Sequence, residues 1–187
     1  DQQDFELMAR ALIAQPESDP VQFILTGMSL GLAGDFSPRA NDGAIALVAA
    51  SRRGDYPQTF GSEMERLLTQ AVSIETFRST ALASAEPEQA GAYENAAVAF
   101  RAAINPMRAT QVREDLEQIG AMAEAISVPA AADLISHAAA IRDLPRLRLV
   151  AQAAGDRAAA AAKRLPRDGR LIATARGDLT VTRELAV

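Results

Sequence analysis

The chain has 187 residues, 49% of them hydrophobic and 23% charged, with a formal net charge of -5, one histidine and no cysteine or tryptophan. Without cysteine there is no disulfide framework, thiolate zinc site, iron–sulfur cluster or cysteine nucleophile. The 43 Leu, Ile, Val and Phe residues place the chain above the composition of disordered sequences, and the 41 alanines favour helices whose backbones approach closely.

The length suits one globular domain or two small ones. The first residue is Asp1, which fits a processed mature protein or an excised piece, so a cytoplasmic and an exported (periplasmic) setting are both compatible. The basic residues are 18 Arg and the single Lys163, which together with the alanine excess reads as GC-rich codon usage. The longest apolar run, 21–33, is about 13 residues, short of the roughly 20 that span a bilayer. No transmembrane segment is expected.

Nine prolines punctuate the sequence, and Asp19-Pro20, Ser37-Pro38 and Asn105-Pro106 each set a capping residue before a proline suited to the first helical turn. Apolar spacing of three and four predicts a helix over 5–14. A second, over 20–33, is apolar nearly all round and reads as the central helix. A shorter one over 43–53 stops at Gly54. Positions 58–85 keep helical spacing for about seven turns, as one long helix or a closely stacked pair. Further helices are predicted over 87–104, 110–126, 129–141 and 145–165, the last broken near Gly155-Asp156. From Arg170 onward, alternation with β-branched residues around Arg176-Gly177-Asp178 predicts a terminal β-hairpin in preference to a ninth helix.

Gly-Asp turns recur at 34–35, 54–55, 155–156 and 177–178, and they resemble the corners of tetratricopeptide-like repeats. Their spacings of 20, 101 and 22 carry no constant register, so irregular α-hairpins are expected in place of a repeat array. The two Arg-Gly-Asp triplets read as turn sequences.

Catalytic constellations are sparse. His137, in Ser136-His137-Ala138, is one candidate phosphoacceptor, but the three alanines that follow it do not match the pattern usual in histidine phosphotransfer domains. A structural histidine is the preferred reading. Glu63 with Glu65, and Glu114 with Asp115 and Glu117, are paired carboxylates that acid–base chemistry could use. Complementing helix dipoles and solvating an exposed face explains them more simply. No phosphate-binding loop, dinucleotide fingerprint, calcium loop or zincin motif occurs, so no metal site or cofactor is expected.

Charge placement is the most informative feature. Residues 1–138 carry a net -10 and residues 139–187 a net +5. Arg142, Arg146, Arg148, Lys163, Arg164, Arg167 and Arg170 are the candidate partner-binding residues, with Arg157 among them in sequence. Nucleic acid is not the expected partner, because the pI is about 5.0 and the basic stretch lacks stacking aromatics. The expected partner is another protein or a second copy of the chain, with peripheral membrane contact also compatible.

These readings converge on an all-α fold: an irregular multi-helix bundle or short α-hairpin solenoid of about eight helices over 1–169, with a small C-terminal hairpin or tail packed on it over 170–187. The expected function is a non-enzymatic interaction, adaptor or chaperone-like domain. The alternatives are phosphotransfer through His137 and a helical domain with a small-ligand pocket under the apolar helix over 21–32.

Overall fold

Short polar residues ahead of proline set the starts of the main helices. The Asp19 carboxylate accepts from the Val21 amide at 2.8 Å, Ser37 Oγ from Ala40 at 3.1 Å and Asn105 Oδ1 from Arg108 at 3.2 Å. The computed structural model describes residues 1–15, 18–34, 36–54, 57–84, 92–165 and Leu171. Among them are ten α-helices: α1 (Gln2–Ala14), α2 (Pro20–Ser29), α3 (Pro38–Arg53), α4 (Gln58–Ala71), α5 (Ile74–Ser84), α6 (Ala92–Ala102), α7 (Pro106–Ile126), α8 (Val128–Ile135), α9 (Leu144–Ala154) and α10 (Asp156–Arg164). A 3-10 turn, Ile141–Asp143, precedes α9, and no β-strand occurs among the described residues. The fold is an all-α, irregular multi-helix bundle.

Ten helices stand where about eight were expected because two long predicted segments divide. Positions 58–85 form the stacked-pair alternative. Val72 turns extended and makes an antiparallel bridge with Ile104, while the Ser73 amide donates to Ala103 O at 3.0 Å and the Asn105 amide to Ala71 O at 2.8 Å. This clasp ties the α4–α5 corner to the α6–α7 corner. At the second division Gly155, with φ 51° and ψ -130°, separates α9 from α10.

Other boundaries shift for local reasons. The capping pairs place the starts of α3 and α7 at Pro38 and Pro106, earlier than apolar periodicity alone suggests, and α7 at 21 residues is the longest described helix. The segment predicted over 129–141 ends as a helix at Ile135. Beyond it, Asp143 Oδ2 accepts from the Ala139 and Ala140 amides at 3.1 and 3.0 Å, and Glu63 Oε2 accepts from Ile141 at 2.9 Å. Two carboxylates thus satisfy a reversal whose amides would otherwise go unpaired.

The core has two linked parts. Phe5, Phe23, Phe77 and Phe100 are fully buried where α1, α2, α5 and α6 meet, with Phe23 against Phe77 at a centroid distance of 4.6 Å, Phe5 at 4.9 Å and Phe100 at 5.5 Å. The other part surrounds α7, which packs against α3, α4, α8 and α9. At the α3–α7 crossing Gly43 and Gly120 lie against the opposing backbone. Ser37 Oγ donates to Glu117 at 3.1 Å, and Arg39 grips Glu124 through two nitrogens at 2.9 Å each. Alanine abundance is realised here as close helix packing, with Ala40, Ala44, Ala46 and Ala50 of α3 all buried.

No described helix is long and apolar enough to cross a membrane. Leu171 has helical backbone and is buried in the main core; the rest of the predicted C-terminal hairpin, 170–187, lies outside the described residues.

Candidate functional site

The segment from the 3-10 turn through α10 carries most of the predicted partner-binding residues. α9 buries Leu144, Leu147, Val150 and Ala151, and this spacing turns Arg146 and Leu149 outward. Leu149 is 51% exposed, a large apolar side chain three residues beyond Arg146 on α9. On α10, Ala158 and Ala162 face inward, so Arg157 and Arg164, seven residues apart, share the outer side.

Arg142, Arg146, Arg157 and Arg164 are exposed, and none has a carboxylate partner among the described residues. The acidic residues of the segment do not neutralise them. Asp143 is buried and bound to the two amides of the reversal, and Asp156 sits at the start of α10. Lys163 differs: its Nζ lies 3.7 Å from Asp133, which Arg53 also contacts at 2.8 Å. Arg148 differs too, being half-buried with its Nε enclosed and unpaired. Arg167 and Arg170 lie outside the described residues.

His137 belongs to the turn after α8 and is only 2% exposed. Its Nε2 lies 2.8 Å from Ala162 O, so the ring joins the α8 end to α10, and Nδ1 is enclosed without a partner. With a carbonyl as the only partner among the described residues, Nε2 is the donor and carries a proton. The ring presents no open nitrogen to a phosphodonor, whereas the structural reading accounts for its position.

The carboxylate pairs are not brought together for acid–base work. Glu63 holds the Ile141 amide, Glu117 accepts from Ser37, and Glu65 and Glu114 are exposed. Since α7 starts at Pro106, the three acids at 114, 115 and 117 lie beyond its first turn, too deep in the helix to complement its dipole. Asp115 is the exception in its chemistry. Burial pushes its carboxyl up to about 6, the long contact from Gln111 Nε2 at 3.5 Å opposes this, and neighbouring Glu114 adds to it. The folded chain therefore holds the Asp115 proton to a higher pH than the unfolded chain does. The group's contribution to stability falls as pH rises from about 4 to about 6 and stays unfavourable above that. Asp115→Asn is expected to raise stability at pH 7 by about 1 kcal/mol, after allowance for solvent screening of a half-buried group. Denaturant titrations at pH 7 and pH 4 check this, with the gain confined to the higher pH.

A cleft of about 400 Å³ was not legible in the sequence. It is lined by Leu32, Ala33, Gly34 and Phe36, the end of α6 and the first turns of α7, three stretches far apart in the chain, and the polar side chains among these described residues are Arg101, Thr110 and Arg113. Among the described residues no cluster of three His, Asp or Glu side chains suits a metal ion. Compared with protein-family models, with curated proteins and with solved structures, the chain matches none.

Proposed function

We propose that the protein is an interaction domain that docks an acidic surface of another protein on its 141–164 segment. The observation that supports the reading is the set of four exposed arginines, Arg142, Arg146, Arg157 and Arg164, left without carboxylates in a chain whose net charge is -5. Among the other arginines, Arg39 pairs with Glu124, Arg52 with Asp4 and Arg53 with Asp133, whereas exposed Arg66 on α4 and Arg108 on α7 are likewise without a carboxylate among the described residues. Exposed Leu149 beside this charge adds the apolar contact that a protein partner can use and that free counterions cannot. Opposite charge on the partner would steer encounter and fix orientation, making association sensitive to salt.

Charge reversal at Arg146 and Arg164, compared with matched reversal at exposed Arg66 and Arg108 on α4 and α7, separates this face from net charge alone. Cross-linking with mass spectrometry on matched baits identifies a partner, and titration of that purified partner at two salt concentrations measures it. Arg146→Glu/Arg164→Glu is expected to weaken binding at least tenfold and flatten the salt dependence, while Arg66→Glu/Arg108→Glu leaves it near wild type. Equal loss in both variants, or binding of anionic vesicles in place of a protein, overturns the proposal.

A further inference from the structure

We infer that the cleft between the α2–α3 turn and the α6–α7 corner is a binding site for a small amphipathic carboxylate, an apolar chain or ring ending in one anionic group. Much of its lining is apolar: Leu32 and Ala109, both buried, with Phe36, Ile104 and Pro106. Arg101 from α6 and Thr110 and Arg113 from α7 are also in its lining. This is the combination small-molecule sites use, a largely apolar cavity with a few polar groups that fix one end of the ligand. The volume of about 400 Å³ falls in the range of such sites.

The charge at the cleft sets the ligand class. Residues 1–138 carry a net -10, and four of their arginines, Arg10, Arg39, Arg52 and Arg53, are paired with carboxylates. Arg66, Arg101, Arg108 and Arg113 have no carboxylate partner among the described residues, and of these Arg101 and Arg113 are the two that line the cleft. Glu117, one turn beyond Arg113 on α7, is taken by Ser37 Oγ at 3.1 Å. Two guanidinium groups beside an apolar cavity favour a carboxylate, which accepts two parallel N–H donors from one arginine. The N-terminus of the 21-residue α7, at the same corner, adds its positive end.

The cleft walls are fixed independently of any ligand. The Val72–Ile104 bridge and its two flanking hydrogen bonds, at 3.0 and 2.8 Å, hold the α6–α7 corner. Across the cleft, the Leu32 amide donates to Gly27 O at 3.0 Å, and Gly34 turns the chain with φ 85°. A site built before binding loses little ordering entropy on filling.

Octanoate, octylamine and propionate separate the two halves of the inference, since they supply the anion with the chain, the chain with the opposite charge, and the anion with almost no chain. Titration calorimetry on the full chain is expected to show one octanoate bound, no octylamine, and propionate at least tenfold weaker. Arg101→Gln/Arg113→Gln is expected to reduce octanoate affinity at least tenfold, while Arg108→Gln, on the same helix but outside the cleft lining, changes it less than twofold. Circular dichroism on each variant confirms that the helices are retained. Absence of octanoate binding at millimolar concentration overturns the inference, as does octylamine binding equally well or the double variant binding like wild type. Because this site shares no residue with the α9–α10 face, its failure leaves the adaptor reading standing, and the converse holds.

Discussion

Gly120→Ala is expected to destabilise the chain by more than about 3 kcal/mol, or to prevent folding at ambient temperature. In an exposed helix the same substitution would be favourable by about 1 kcal/mol, because alanine is the better helix former. Packing reverses the sign. A Cβ on Gly120 would lie 1.9 Å from Arg39 O and 2.7 Å from Arg39 C, and one on Gly43 would lie 2.0 Å from Leu116 O. These obstacles are helical backbone and cannot rotate away, so α3 and α7 would have to separate by more than an ångström. Separation would unpack the α3–α7 contacts around Ala40, Ala44, Leu116 and Ile119, all buried. Gly27→Ala provides the contrast: its Cβ would meet the Phe100 ring edge at 2.6 Å, a side chain that can tilt, so the penalty there is expected to be smaller. Urea denaturation of the three alanine variants at positions 27, 43 and 120 measures the order. A stability for Gly120→Ala at or above wild type would show that the two helices are not in backbone contact.

Local signals carried the fold further than the site. The Asp-Pro, Ser-Pro and Asn-Pro pairs marked helix starts correctly because capping involves only neighbouring residues, and Gly54 marked the α3 stop with φ 63° for the same reason. Alanine content announced close helix contact. That Gly43 and Gly120 supply the closest of it depends on positions 77 residues apart, which no local pattern relates. The division at Val72–Ser73 was harder to place because the bridge partner, Ile104, lies in a different helical hairpin. On the functional side, Arg142, Arg146 and Arg164 were legible as exposed basic residues. Whether a carboxylate would reach each of them was not, and it separates Lys163, paired with Asp133, from the rest. The cleft drew its residues from three distant stretches, so neither Arg101 nor Arg113 carried any signal in sequence.

Phe23→Ala is expected to cost about 4 kcal/mol, the upper range for a single core truncation. Phe23 is the hub of the aromatic cluster: it stacks on Phe5 with an interplanar angle of 15°, meets Phe100 edge-on at 76° and lies tilted against Phe77 at 52°. Truncation removes the ring from all three partners, each held by a different helix, α1, α6 and α5. The cavity is therefore bordered by three helices and cannot close by the shift of one neighbour. Phe23→Leu keeps most of the volume and loses the ring geometry, so its cost is expected to be about 1.5 kcal/mol. A double-mutant cycle between Phe23→Leu and Phe77→Leu, read by urea denaturation, is expected to give a coupling of about 1 kcal/mol. A coupling near zero would reduce the cluster to buried area alone. The same cycle bears on the cleft, because Phe100 immediately precedes Arg101: its buried ring anchors the turn of α6 that presents the guanidinium. Loss of Phe23 is therefore expected to weaken octanoate binding along with stability, whereas loss of Arg101 and Arg113 weakens binding with stability retained.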